Sequence, residues 1–215
     1  MGVQALGLGI GTLLHELGVA PRIVTGHDFR SYSASIKMAL TTGLMAAGCD
    51  VHDIGLALTP MAYFAQFELD VPAVAMVTAS HNENGWTGVK MGANRPLTFG
   101  PDELGRLKEI VLGAGFDMRG GGSYAFVPDV PERYIRDLVN RPRLERRLKV
   151  IAACGNGTAG AFAPRVLEDI GCEVVSLDAE LDHTFPNGNP NPEDLAMLCA
   201  IRNKVLARFQ GWPAL

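Results

Sequence analysis

The residues best equipped for chemistry lie in one short stretch, Thr78-Ala79-Ser80-His81-Asn82-Glu83-Asn84-Gly85. A serine hydroxyl beside an imidazole can act as a nucleophile or carry a phosphoryl group. His81 can donate to that anion, Asn82 can anchor the loop, and Gly85 allows a tight backbone. Lys90, a few residues on, adds a cation. A second constellation is Thr25-Gly26-His27-Asp28-Phe29-Arg30-Ser31. It precedes a helix start, whose open N–H groups favour an anion, and Arg30 adds a bidentate donor. A third, Gly155-Asn156-Gly157-Thr158-Ala159-Gly160, matches G-x-G-x-x-G, with Asp178 placed 18 residues past Gly160. That order fits a dinucleotide-binding fingerprint. Each has a plainer reading. Ser80 can be a turn residue, Asp28 can satisfy backbone donors, and the glycines can serve a tight strand–helix turn. No Gly-x-Ser-x-Gly elbow occurs, which argues against acyl transfer on a hydrolase fold.

Positioning these groups requires a frame, and the hydrophobic pattern supplies one. The apolar run 71–77 reads as a buried strand that delivers Ser80 at its carboxyl end, where open α/β sheets bind ligands. Further strands are expected at 22–25, 50–54 and 88–91, and helices at 31–47, 59–68, 101–112 and 130–139. Ser31 or Ser33 would cap the helix at 31–47, and Gly48 would close it. Residues 1–18 carry Leu6, Ile10, Leu13, Leu14 and Leu17 at helical spacing and end at Gly18. Without a basic start, this is an amphipathic helix and not a signal peptide. Gly120-Gly121-Gly122 reads as a spacer. A composition break at 140–147, with four arginines, separates a second unit. That unit has strands at 149–153 and 173–177 and helices at 161–170 and 193–208. The Pro/Asn-rich loop 182–192, with Phe185-Pro186-Asn187-Gly188-Asn189-Pro190-Asn191-Pro192, reads as a rigid turn capping the last helix.

This alternation predicts an α/β protein: a mixed, mainly parallel sheet with helices on both faces, then an incomplete second α/β/α domain. The expected bounds are 1–139, a linker at 140–147, and 148–215. A second unit of two strands, and a first without an opening strand, lead us to expect a chain short at both ends. The tail 209–215 reads as neither strand nor helix.

Composition limits the function classes. The chain has 215 residues, 47% hydrophobic and 20% charged, as in ordinary globular proteins. A net charge of −4 gives no basic footprint for nucleic acid. No apolar stretch reaches the ~18 residues needed to cross a bilayer. Cys49, Cys154, Cys172 and Cys199 are scattered without C-x-x-C spacing, which suits reduced, mostly buried thiols in a cytoplasmic protein.

Taken in order, several segments resemble the α-D-phosphohexomutases, the phosphomannomutase/phosphoglucomutase family. They are Gly26-His27-Asp28-Phe29-Arg30, Thr59-Pro60, Thr78-Ala79-Ser80-His81-Asn82, Gly88-Val89-Lys90, Cys154-Gly155-Asn156-Gly157 and Asn189-Pro190-Asn191-Pro192-Glu193. The likeness spans residues 5–206. It implies that Ser80 is a phosphoserine that exchanges its phosphoryl group with mannose or glucose 1- or 6-phosphate through a bisphosphorylated sugar. It further implies that Ser80, His81, Asn82 and Lys90 bind substrate and that Arg30 and Lys90 serve acid–base and charge-stabilising roles. Ser80 would also offer Mg²⁺ an oxygen. His27 stands where the family pattern has arginine. The family's aspartate-rich Mg²⁺ loop has no counterpart, so this chain alone is expected to be inactive or nearly so. The likeness also reassigns the glycine turn to the opening of the second domain. A dinucleotide-dependent oxidoreductase built on 155–160 and a non-catalytic phosphosugar-binding fragment are the alternatives.

Overall fold

A computed structural model describes residues 2–95, 97–141, 144–189 and 191–208. The tail 209–215, Pro190 of the Pro/Asn-rich loop, and Pro142 and Arg143 of the composition break lie outside the described residues. The chain folds as two compact units, Met1–Ala79 with Thr87–Tyr134, and Ser80–Trp86 with Ile135–Leu215.

The first unit is built on five strands: β1 (Arg22–His27), β2 (Asp50–Leu56), β3 (Ala73–Val77), β4 (Val89–Gly92) and β5 (Tyr124–Phe126). Their spatial order is β4-β3-β1-β2-β5. All neighbours are parallel except β3–β4, which is antiparallel. The unit's helices are α1 (Val3–Glu16), α2 (Ser33–Ala46), α3 (Thr59–Glu68) and α4 (Pro101–Leu112), and α5 (Val130–Val139) begins in this unit and ends in the second. β1 is the hinge of this topology. The chain leaves it through α2 to β2 on one side, then returns through α3 to β3 on the other. The carboxyl ends of β1 and β3 therefore form the topological switch point, the usual ligand crevice of open α/β sheets.

Alternation along the strands explains the core. Ile23, Val51, Ala73, Ala75 and Val77 point to one face and pack with Ile10, Leu13, Leu14, Leu40, Leu44, Leu107 and Ile110 from α1, α2 and α4. Val24, Val74 and Met76 alternate to the other face, on which α3 buries Met61, Ala62 and Ala65. β3, with a neighbour on each side, is buried along its whole length. α1 and α2 cross closely. A Cβ on Gly7 would stand 2.2 Å from Leu40 O, and one on Gly43 would stand 2.0 Å from Gln4 O. Only glycine fits at that crossing.

Several boundaries differ from expectation, each for a local reason. β3 begins at Ala73, not residue 71, because Val71 N–H is taken by Gln66 O and Pro72 has no N–H. β1 runs on to His27. α2 starts with Tyr32 as its N-cap residue and no side-chain cap, because Ser33 Oγ donates instead to Asp28 Oδ1. Gly18 and Gly48 follow α1 and α2 at φ 66° and 88°, as expected of helix ends. β5 was not expected. It is three exposed residues added to β2 through ladder pairing from Val51 to Asp53.

The second unit contains β6 (Lys149–Ala153) and β7 (Glu173–Leu177), paired in parallel, with α6 (Ala163–Asp169) and α7 (Leu195–Arg208). The helix expected at 161–170 is a 3₁₀ turn, Thr158–Ala161, followed by the short α6 with proline in its first turn. α7 begins two residues later than expected. Asp194 caps it, its Oδ1 accepting from Ala196 and Met197 N–H at 2.7 and 3.3 Å. Cys49, Cys154 and Cys172 are buried, whereas Cys199 is exposed on α7.

Candidate functional site

Asp28 is the organising residue at the switch point of the first unit. It follows β1, and its own N–H bonds Val77 O at the end of β3. Its carboxylate accepts from Ser33 Oγ at 2.5 Å and Arg30 N–H at 3.2 Å through Oδ1, and from Ala79 N–H at 3.2 Å through Oδ2. The Arg30 guanidinium lies 3.6 Å from Oδ2. One buried carboxylate thus ties the loop after β1 to the loop after β3 and holds a cation beside it. Arg30 is only 5% exposed. Burial of that kind fixes a guanidinium's direction far better than a surface position does. His27 Nδ1 lies 2.8 Å from Asp28 O, which fixes its ring as well.

Lys90 sits on β4 opposite Met76 in the antiparallel ladder and is exposed. Thr78 N–H bonds Gly88 O, so β3 and β4 stay paired to the point where the serine loop departs. Arg30, Asp28 and Lys90 all belong to the first unit.

Ser80, His81 and Asn82 belong to the second unit and are exposed. Ser80 has φ 56°, in the left-handed region that a residue with a Cβ seldom occupies. Its Oγ lies 3.4 Å from His81 Nδ1, longer than a good hydrogen bond. Asn84 Nδ2 donates to His183 O at 3.1 Å, and Asn189 Nδ2 donates to His81 O at 2.5 Å.

The glycine turn has a structural explanation. A Cβ on Gly160 would lie 2.0 Å from Ala179 O, so the main chain after β7 passes directly over it. Asn156, buried at φ 57°, donates from Nδ2 to Glu180 O, and its N–H bonds Asp178 O. Asn187 Nδ2 occupies Asp178 Oδ1 at 2.9 Å. One oxygen of the carboxylate that a ribose would need is engaged, and the turn opens into a 3₁₀ turn. These contacts favour the structural reading of the glycine turn over the dinucleotide one.

Among the described residues, no three His, Cys, Asp or Glu side chains group to hold a metal ion. Mg²⁺ takes an octahedral shell of oxygens, normally with one or two carboxylates. Ser80 offers one oxygen, so the described residues do not fit a complete Mg²⁺ site. No helix among them is long and apolar enough to cross a membrane.

Sequence reasoning proposed Ser80, His81, Asn82, Lys90 and Arg30, and read Asp28 as satisfying backbone donors in a strand–helix turn, which it does at Arg30 N–H. What that reading did not foresee is that Asp28 also reaches the loop after β3 at Ala79 N–H. Asn189 was missed as well, because its partner is 108 residues away.

Comparisons with known proteins agree with this architecture. Residues 1–117 match the family model of phosphoglucomutase/phosphomannomutase alpha/beta/alpha domain I, and residues 132–209 match that of domain II. A phosphomannomutase/phosphoglucomutase of Pseudomonas syringae pv. tomato is 35% identical over 185 residues, covering 86% of this chain and 39% of its own. A probable phosphoglucosamine mutase of Methanobrevibacter smithii is 31% identical, covering 87% and 43%. The crystal structure of a phosphoglucomutase/phosphomannomutase family protein from Burkholderia thailandensis superposes with TM-score 0.88 at 31% identity, covering 95% and 46%. The chain spans about two fifths of the length of the curated relatives it matches. With both domain models matched in order and the sheet, turn and loop placed as described, the chain belongs to the phosphoglucomutase/phosphomannomutase family.

Proposed function

We propose that this chain carries a phosphoryl group on Ser80 for the interconversion of hexose 1- and 6-phosphates, mannose or glucose, in the cytoplasm. The observation that supports it is the serine loop itself. It is exposed and left-handed at Ser80, and it starts where Asp28 holds Ala79 N–H and the Arg30 guanidinium. In the proposed step a hydroxyl oxygen of the hexose phosphate attacks phosphorus. The Oγ–P bond breaks as the new O–P bond forms, and the hydroxyl proton passes to the Lys90 amine and from there to the departing Oγ. The bisphosphorylated sugar then returns its other phosphate to Ser80 Oγ. Such transfers rest on positioning and charge neutralisation, which Arg30 and the His81 ring can supply. His81 and Asn82 hold the substrate phosphate. Mg²⁺, if bound at the phosphoserine, would neutralise charge there.

In this reading residues 1–139 form the phosphoserine domain, 140–147 a linker, and 148–215 part of a second domain. The lack of a carboxylate cluster among the described residues favours a second reading, in which the chain binds phosphosugar without turning it over. Exposure to a hexose 1,6-bisphosphate followed by phosphopeptide mapping tests the first. One phosphate at Ser80, absent in Ser80→Ala, is expected. Phosphate uptake that survives Ser80→Ala would overturn it.

A further inference from the structure

The conformation of the serine loop needs restraint from outside it. Ser80 at φ 56° is strained for a residue with a Cβ, and such strain persists only where the surroundings hold it. On the amino side, Asp28 holds Ala79 N–H. On the carboxyl side, the holding groups come from the 182–189 segment, which shares a compact unit with residues 80–86.

The hydrogen bonds that join the segments include a reciprocal pair. Asn189 Nδ2 donates to His81 O at 2.5 Å, and Asn84 Nδ2 donates to His183 O at 3.1 Å. Each segment gives one side-chain amide and takes one on a main-chain carbonyl. The support beneath Asn189 is itself tied down. Asn187 Nδ2 bonds Asn156 Oδ1 at 3.1 Å and Asp178 Oδ1 at 2.9 Å, and Asp182 N–H bonds Asn156 O. Asn156 is buried. A frame fixed to the glycine turn thus reaches the residue next to Ser80.

We propose that Asn189 and Asn84 are positioning residues that clip the Ser80 loop into its bent conformation. The catalytic meaning of the clip rests on the reading of Ser80 as a phosphate carrier; the clip is a property of the loop. Amides suit the task. A lysine or arginine at 189 would compete for a phosphoserine dianion, and a carboxylate would repel both it and the His81 carbonyl. Asn189 grips the main chain of His81 and leaves its ring to face the phosphate.

Amide hydrogen exchange on the whole chain, read by mass spectrometry across 80–86, tests this. Asn189→Ala, Asn189→Asp and Asn84→Ala should each speed exchange there about five- to tenfold, the effect of losing one neutral hydrogen bond. Protection of β6 and β7 should stay as it was. Asn191→Ala, which removes an acceptor of Glu193 N–H, should leave the loop unchanged. Unaltered exchange in 80–86, equal loosening of β6 and β7, or the same acceleration in Asn191→Ala would overturn the clip. Should the Asn189 variants fail to fold, Asn84→Ala, on the exposed loop, decides alone. Phosphate uptake by Ser80 from a hexose 1,6-bisphosphate should slow by the same factor in Asn189→Ala; an equal rate would overturn the positioning role. A wild-type chain that takes up no phosphate overturns the proposed function, while the exchange data still decide the clip.

Discussion

Asp28 concentrates more of the local structure than any other single side chain at the switch point. Its carboxylate serves three donors and one guanidinium, all at or near a buried position. Asp28→Ala leaves those donors unmatched, and each buried unmatched group costs about 1–3 kcal/mol. We expect a loss of about 3 kcal/mol in urea denaturation, with a smaller loss for Asp28→Asn, which keeps one acceptor oxygen. A loss below about 1 kcal/mol for Asp28→Ala would show that the hub is dispensable. Cys49 gives a pH prediction. Burial first, and the Asp50 charge second, push its thiol up to about 12. A thiol held above its unfolded value stabilises the fold fully below about pH 9. That contribution then declines as pH rises toward 12, by roughly 1.4 kcal/mol per pH unit. Stability between about pH 9 and 10.5 should therefore fall less steeply in Cys49→Ala than in the parent chain. Parallel slopes would refute it. In the folded chain Cys199 should be alkylated first, since the other three thiols are buried.

Helices and strands meet through contacts of two kinds, and they were not equally legible. The apolar period located α1 to α5 and four of the five strands of the first sheet, because burial imposes that period directly. β5 escaped because Tyr124-Ala125-Phe126 is short and exposed, and it is a strand only through pairing with β2. The split of the expected helix at 161–170 escaped for a similar reason. The close pass of the chain over Gly160 sets that turn, and only the fold reveals it. The buried ion pair was equally hidden. Lys37 of α2 lies 2.5 Å from Asp53 of β2, with side chains 6% and 2% exposed, and Tyr124 of β5 donates to the same carboxylate at 2.9 Å. Desolvation makes such a pair a weak stabiliser overall, yet removing one partner strands the other charge. Lys37→Met should cost about 3 kcal/mol or more, whereas Lys37→Met with Asp53→Leu should recover part of the loss. Failure of the double variant to recover any would mean the Gly55 and Tyr124 hydrogen bonds to Asp53 matter more than the charge. The α1–α2 crossing yields a sharper test. Gly43→Ala drives a methyl into the main chain of α1, and overpacking of that sort costs about 1–3 kcal/mol. A neutral effect on the thermal midpoint would show that the two helices separate easily.

At the scale of the whole chain, the order of motifs carried the family and most of the fold, because each motif marks a strand end or a turn. The reach of Asp28 to Ala79 and the role of Asn189 were not legible, since each acts on backbone far away in sequence, Ala79 for one and His81 for the other. Both support Ser80 without being reactive groups themselves. That separation bears on activity. Carrying a phosphate needs one hydroxyl and a nearby cation. Repeated turnover also needs neutralisation of a phosphoserine dianion beside a phosphorylated sugar, and the described residues hold no cluster of three His, Cys, Asp or Glu side chains for Mg²⁺. A site so composed should take up phosphate once and release it slowly. We therefore expect the purified chain, given hexose 1-phosphate, a trace of the bisphosphate and Mg²⁺, to form hexose 6-phosphate no faster than Ser80→Ala. A coupled assay that shows steady turnover lost in Ser80→Ala would prove that these residues suffice, and the need for further oxygen ligands would have to be abandoned.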